Sequence, residues 1–96
     1  MTTYFISRHS GAVEWAETEG FHVDERLAHF DVTIVQPDDN VIGTLPINLV
    51  AEVNARGGHY FHLTLEIPAD ARGKELTAND MRQFGARLEG YYARKL

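Results

Sequence analysis

The residues best suited to chemistry in this chain of 96 form one short run, Ser7-Arg8-His9-Ser10-Gly11. The apolar Tyr4-Phe5-Ile6 precedes it and a helical stretch from Ala12 to Glu19 follows, so the run reads as a strand-to-helix turn. Small residues in such a turn let backbone N–H groups face an anion, and the positive end of the helix dipole adds to that preference. Arg8 supplies a planar fork matched to phosphate, and His9 a group able to move a proton near neutral pH. The competing reading is a solvated arginine beside a turn histidine. Gly43-Thr44-Leu45-Pro46 is a second strand-to-helix turn, where Gly43 permits close approach of a ligand and Thr44 offers a hydroxyl. Arg72-Gly73-Lys74 is a third candidate, two bases around a flexible glycine that would make a mobile clamp for phosphate. Taken alone, the commoner explanation of the former is a plain strand-to-helix turn, and of the latter an exposed loop kept soluble by charge.

Other chemistry is poorly supported. The chain has no cysteine, which excludes a disulfide framework and thiolate metal sites. His59 and His62 are three apart in an extended segment and so face opposite sides. His29 and Asp31 could share a face if extended, but two ligands are too few for a metal site, and none is expected. No segment matches a nucleoside triphosphate loop or a dinucleotide fingerprint. Trp15, Tyr91 and Tyr92 could stack on bases, although packing is the commoner role of aromatics.

The elements that must position these residues follow from periodicity. Tyr4 to Ser7 reads as a short buried strand, and Ser10 as the N-cap of a helix with Ala12, Val13 and Ala16 on its apolar stripe. Extended material is expected around Val23–Leu27 and Val32–Val35, a turn at Pro37-Asp38-Asp39-Asn40, and a short strand at Val41-Ile42-Gly43. Pro46 suits the first turn of a helix carrying Leu49, Val50 and Val53, ended by Gly57-Gly58. From Tyr60 to Ile67 the residues Phe61, Leu63, Leu65 and Ile67 alternate with Tyr60, His62, Thr64 and Glu66, the period of a strand. Thr77 with Asp80 starts a last helix that buries Met81, Phe84 and Leu88, with Tyr91 or Tyr92 extending the stripe. This alternation of strands and helices predicts a three-layer α/β sandwich with a mostly parallel sheet, in which ligands bind beyond the carboxyl ends of the strands.

Length leaves room for one domain, and 44% hydrophobic with 24% charged residues is globular composition rather than disorder. The net charge of −5 is uneven: −6 over residues 1–40, −2 over 41–71 and +3 over 72–96. That balance argues against binding long duplexes, and leaves open a small anion held by a few converging bases. No apolar run is long enough to span a bilayer, and the N-terminus does not look like a secretion signal, so a cytoplasmic protein without membrane attachment is expected.

Four segments taken in order, Tyr4-Phe5-Ile6-Ser7-Arg8-His9-Ser10-Gly11-Ala12, Val41-Ile42-Gly43-Thr44-Leu45-Pro46, His62-Leu63-Thr64-Leu65 and Ala71-Arg72-Gly73-Lys74-Glu75-Leu76, resemble a family of small CRISPR-associated accessory proteins found with type III systems. The likeness runs from end to end, and the first two motifs are specific in combination. Ser10 stands where the family pattern has proline. Arg8-His9 is also similar to the Arg-His-Gly signature of histidine phosphatases, but Ser10 separates His9 from Gly11 and that fold is far larger.

The resemblance implies one compact Rossmann-like, CARF-type domain over residues 1–96. CARF domains sense cyclic oligoadenylates, and small accessory proteins of this type can act as ring nucleases that remove them. Cleavage would use the ribose 2′-hydroxyl as nucleophile and need neither metal nor cofactor, leaving a 2′,3′-cyclic phosphate. Arg8 and His9 are then the candidate catalytic pair. Ser7, Ser10, Gly11, Gly43 and Thr44 are candidates for ligand contact, and Arg72 with Lys74 for closing over the ring. One domain offers little concave surface for four nucleotides, so a homodimer is expected, with the Phe61-Leu63-Leu65 face or the Trp15 region at the contact, and a two-fold ligand such as cyclic tetra-adenylate suits it. The alternatives are a protein that sequesters the ring without cleaving it and a subunit that docks on another CRISPR protein.

Overall fold

The structure, a computed structural model, describes residues 1–96, with the side chain of Ser10 outside the description. Five strands form one sheet: β1 (Thr3–Ile6), β2 (Glu25–Leu27), β3 (Asn40–Gly43), β4 (His59–Thr64) and β5 (Arg87–Tyr91). Their order is β2-β1-β3-β4-β5, with every pair parallel except β4 and β5. Three helices complete the fold: α1 (Ser10–Thr18), α2 (Ile47–Ala55) and α3 (Ala78–Gln83). This is a compact α/β fold with a mostly parallel sheet. No helix among the described residues is long and apolar enough to cross a membrane.

The sheet is covered on both faces, which explains why Tyr4-Phe5-Ile6 of β1 and Val41-Ile42 of β3 read as unbroken apolar runs. Alternate residues serve opposite sides. Phe5, Ile42 and Leu63 meet Ala12, Trp15 and Ala16 of α1 and Met81 of α3 in one core cluster. Tyr4, Val41 and Tyr60 meet Val50 and Val53 of α2 in the other. Trp15 and Leu63 are therefore core residues under this chain's own helices. The expectation that the Trp15 region or the Phe61-Leu63-Leu65 face makes an intermolecular contact is corrected accordingly.

Other expectations need correction as well. The last helix stops at Gln83, where Gly85 takes φ = 71°, a left-handed turn that glycine adopts without strain. The chain then returns as β5, pairing Leu88 with Leu63 and Tyr91 with Tyr60. Phe84 and Leu88 still pack on the expected core, but Leu88 does so from a strand. Val32–Ile34 is a 3₁₀ turn rather than extended chain, because the Asp31 carboxylate accepts the Thr33 N–H at 3.0 Å and competes with strand formation. His9, not Ser10, occupies the N-cap position of α1, and Pro46 that of α2. Asp39 organises the turn before β3: its buried carboxylate accepts the N–H groups of Thr2 and Gln36.

The capping box of α3 forms as its spacing suggests. Thr77 Oγ1 accepts the Asp80 N–H at 3.1 Å, and the Asp80 carboxylate accepts the Thr77 N–H at 3.0 Å. A helix of six residues has little intrinsic stability, so the cap and the burial of Met81 must hold it. Thr77→Ala is expected to cost about 1 kcal/mol, seen as a lower denaturant midpoint with unchanged slope. An unchanged midpoint would show that packing alone fixes α3.

Candidate functional site

The strand order reverses direction between β1 and β3, and in such sheets the crevice at the carboxyl ends opens there. A cleft of about 350 Å³ occupies that place. Its walls come from the residues just beyond each parallel strand: Ser7, Arg8 and His9 after β1, Ala28 after β2, Thr44 after β3, and Leu65 with Ile67 after β4. Leu63, Leu76 and Met81 form an apolar floor. A second recess of about 360 Å³ shares Arg8 and His9 and extends to Ala71, Gly73 and Lys74.

The turn after β1 is folded by Ser7. Its hydroxyl oxygen accepts the His9 N–H at 3.0 Å, and its backbone N–H donates to Leu27 at 3.0 Å, tying the turn to the end of β2. Ser7 thus shapes the rim on which Arg8 and His9 stand. His9 Nδ1 accepts the Leu76 N–H at 3.3 Å. A neutral ring in this arrangement carries its proton on Nε2 and is a hydrogen-bond donor there. Arg8 is exposed and pairs with no other described residue, so its guanidinium is available to an anion. Apolar walls behind it strengthen any charge interaction made in the cleft.

Ser7, Arg8, His9 and Thr44 are thus brought together, with Lys74 in the adjoining recess. Arg72 lines neither space, and Gly43 lies behind Thr44 against Ile6. Gly11 serves packing: a Cβ there would fall 2.3 Å from the Leu76 carbonyl oxygen, so α1 can lie against the 76–77 segment only without one. Ligand contact by the Ser10 side chain falls outside the described residues. Of the other histidines, His59 sits 3.6 Å from exposed Asp38, and His62 contacts the Tyr60 hydroxyl.

Tyr60 is the residue that periodicity alone did not single out. Its side chain is only 2% exposed, and its hydroxyl donates to the Gly43 carbonyl at 2.9 Å while accepting the Leu45 N–H at 2.9 Å. It thereby grips the turn on both sides of Thr44. Burial pushes the phenol's pKa above the ordinary tyrosine range, partly offset by the Leu45 N–H. The folded state therefore holds its proton longer than the unfolded state. This contribution is complete below the unfolded value near pH 10 and is lost as pH rises through the raised folded value. Tyr60→Phe is expected to cost about 1–3 kcal/mol near neutrality, through the groups left unpaired, and to flatten the alkaline decline of stability. Wild-type stability with an unaltered alkaline limb would refute the role.

Comparison with curated proteins and with solved structures finds no match for this chain. A protein-family model does match, over residues 4–94, and its span includes every wall of the cleft just described. On that match the chain belongs to the family described as "Putative CRISPR-associated protein (Cas_VVA1548)".

Proposed function

We propose that this protein is a ring nuclease of type III CRISPR systems, a Rossmann-like domain of CARF type that opens a cyclic oligoadenylate. The observation that carries the reading is the convergence of Arg8, His9 and Thr44 beyond the ends of the parallel strands, with Lys74 beside them. CRISPR association of the family supports it, because a small anionic messenger is a ligand that such a cleft suits.

In the proposed reaction the ribose 2′-oxygen attacks the adjacent phosphorus and the bond from phosphorus to the 5′-oxygen breaks. The 2′-hydroxyl proton passes to solvent, and the departing 5′-oxygen takes one back. The products are a 2′,3′-cyclic phosphate and a 5′-hydroxyl. The protein's contribution is in-line positioning and stabilisation of the charge that builds on the phosphoryl oxygens. Arg8 acts on that charge, and His9 donates a hydrogen bond through Nε2. Thr44, fixed by the grip of Tyr60 on its neighbours, orients the ribose or phosphate, and Lys74 approaches the ring from the adjoining loop.

Incubating radiolabelled cyclic tetra-adenylate with excess protein tests this directly. The expected result is a linear product ending in a 2′,3′-cyclic phosphate. Intact ring under both single- and multiple-turnover conditions would sink the enzyme reading. A raised melting temperature with intact ring would then leave a sequestering protein, because a ligand bound only by the folded state must stabilise it. No shift with tri-, tetra- or hexa-adenylate rings would remove this ligand class. The cleft is open and small beside a four-nucleotide ring, so a homodimer belongs to the proposal; light scattering that shows only monomer with and without ring would refute that part.

A further inference from the structure

A separate recess, of about 260 Å³, lies on the α2 side of the sheet and is lined by Leu45, Ile47, His62, Tyr91 and Tyr92, with Tyr60 beneath. It adjoins the first cleft through one peptide unit, since Thr44 lines one space and Leu45 the other. Its walls include three large side chains that a globular domain ordinarily covers: Ile47, Tyr91 and Tyr92 are 74%, 54% and 76% exposed. Both tyrosines are held by backbone. Tyr91 ends β5, and the N–H of Ala93 donates to Asn54 Oδ1 of α2 at 2.8 Å. The backbone that carries the two rings is therefore fixed before any ligand arrives, which lowers the entropy cost of binding.

The recess also contains one polar group whose hydrogen-bonding sense is fixed. Three groups surround the Tyr60 oxygen within 2.9 Å: the Gly43 carbonyl, the Leu45 N–H and His62 Nδ1. A phenol has one proton to give and two lone pairs. The carbonyl can only accept, so it takes the Tyr60 proton, and the Leu45 N–H fills one lone pair. If Nδ1 were bare, two lone pairs would face each other at 2.8 Å. His62 Nδ1 therefore carries hydrogen and donates to Tyr60. In the neutral ring Nε2, on the side away from buried Tyr60, is left as an acceptor. Tyr91 meets the imidazole edge-on at 6.0 Å, and Glu89 stands opposite it across the β4–β5 ladder, engaged with Arg87 at 3.6 Å.

We propose that this recess is a base subsite for an amino-bearing purine, adenine, which stacks on Tyr91 and Tyr92 and donates its exocyclic amine to His62 Nε2. The inference rests on the nucleotide reading above and extends it: the phosphate occupies the Arg8 cleft while an attached base crosses the Thr44–Leu45 turn. An acceptor at this point favours adenine over hypoxanthine, which presents a carbonyl oxygen where adenine has its amine.

The test uses AMP, IMP and ribose phosphate as probes, titrated at pH 8 with the histidine and tyrosine ring resonances as readout. AMP is expected to shift His62, Tyr91 and Tyr92 and to bind about tenfold or more tighter than IMP or ribose phosphate. Tyr92→Ala, at a position too exposed to govern folding, is expected to remove that advantage. His62→Gln keeps an amide oxygen acceptor and is expected to retain part of it, whereas His62→Ala loses it. AMP binding that leaves these rings unmoved, equal affinity for IMP, no AMP binding, or nitrogen shifts that place the His62 proton on Nε2 would each overturn the subsite. The two readings separate in the same experiments. Ring cleaved normally by Tyr92→Ala and His62→Ala would sink the subsite and leave the nuclease, whereas AMP bound at His62 with rings neither bound nor cleaved would do the reverse.

Discussion

Arg8→Ala is expected to slow single-turnover cleavage of cyclic tetra-adenylate about 10²–10³-fold while shifting stability by less than about 0.5 kcal/mol. Arg8 follows β1 directly, at the edge where the strand order reverses, and its side chain is exposed. Unengaged by other described residues, it can be removed without orphaning a partner, which is why folding should be spared. Ser7 fixes the turn beneath it through the 3.0 Å bond to the His9 N–H, and that bond survives the substitution. On the proposed reaction, what is lost is a donor to the charge that concentrates on the phosphoryl oxygens as the 2′-oxygen attacks. Losing one such donor typically costs about 2.7–4 kcal/mol of transition-state stabilisation. If Arg8 only attracts the ligand, affinity falls while the rate on saturated protein stays at the wild-type value. An unchanged saturated rate would remove it from the catalytic pair and leave His9 and Lys74 as the next groups to test.

How much of this was legible in the sequence depended on whether the deciding contact was local. Tyr4-Phe5-Ile6 and Val41-Ile42 announced buried strands because both faces of a parallel strand are covered, and β1, α1, β3, α2 and β4 followed from neighbouring residues. The convergence of Ser7, Arg8, His9 and Thr44 was also legible, since alternation implies a parallel sheet and such a sheet gathers its strand-to-helix turns at one edge. β5 is hidden in the sequence because Met81, Phe84 and Leu88 have helical spacing by coincidence; the signal against a helix is Gly85, a stop inside the apparent stripe. The Val32–Ile34 turn was hidden by β-branched residues whose propensity yields to the Asp31 cap. The roles of Tyr60 and Gly11 depend on partners 15 to 17 residues away for the tyrosine and across the fold for the glycine. No local pattern encodes such contacts.

Gly11→Ala is the sharpest test of that long-range packing, because two effects of opposite sign compete at one atom. Gly11 lies in α1, where replacing glycine by alanine ordinarily stabilises a helix by about 0.5–1 kcal/mol. The added Cβ, however, would sit 2.3 Å from the Leu76 carbonyl oxygen and 2.7 Å from the Thr77 Cα and carbonyl carbon. All three are backbone atoms, so no rotamer change relieves the overlap. Either α1 or the 76–77 segment must move. That segment is anchored: Leu76 is buried and its N–H reaches His9, while Thr77 caps α3. Overpacking in such a place costs about 1–3 kcal/mol and occasionally more. With both anchors strained as well, the clash is expected to outweigh the helix gain and leave a net loss of about 2 kcal/mol or more. Gly20→Ala is the matched control, since nothing lies within 4 Å of its Cβ and only its φ of 92° opposes the side chain. The expected loss there is about 1 kcal/mol, from backbone strain alone. Denaturation curves for the two variants decide the matter, and a Gly11→Ala protein as stable as wild type would show that α1 is free to slide away from the start of α3. Ring cleavage by the residual folded fraction then reports on the site itself: displacement of Leu76 releases His9 Nδ1, so activity per folded molecule should fall as well.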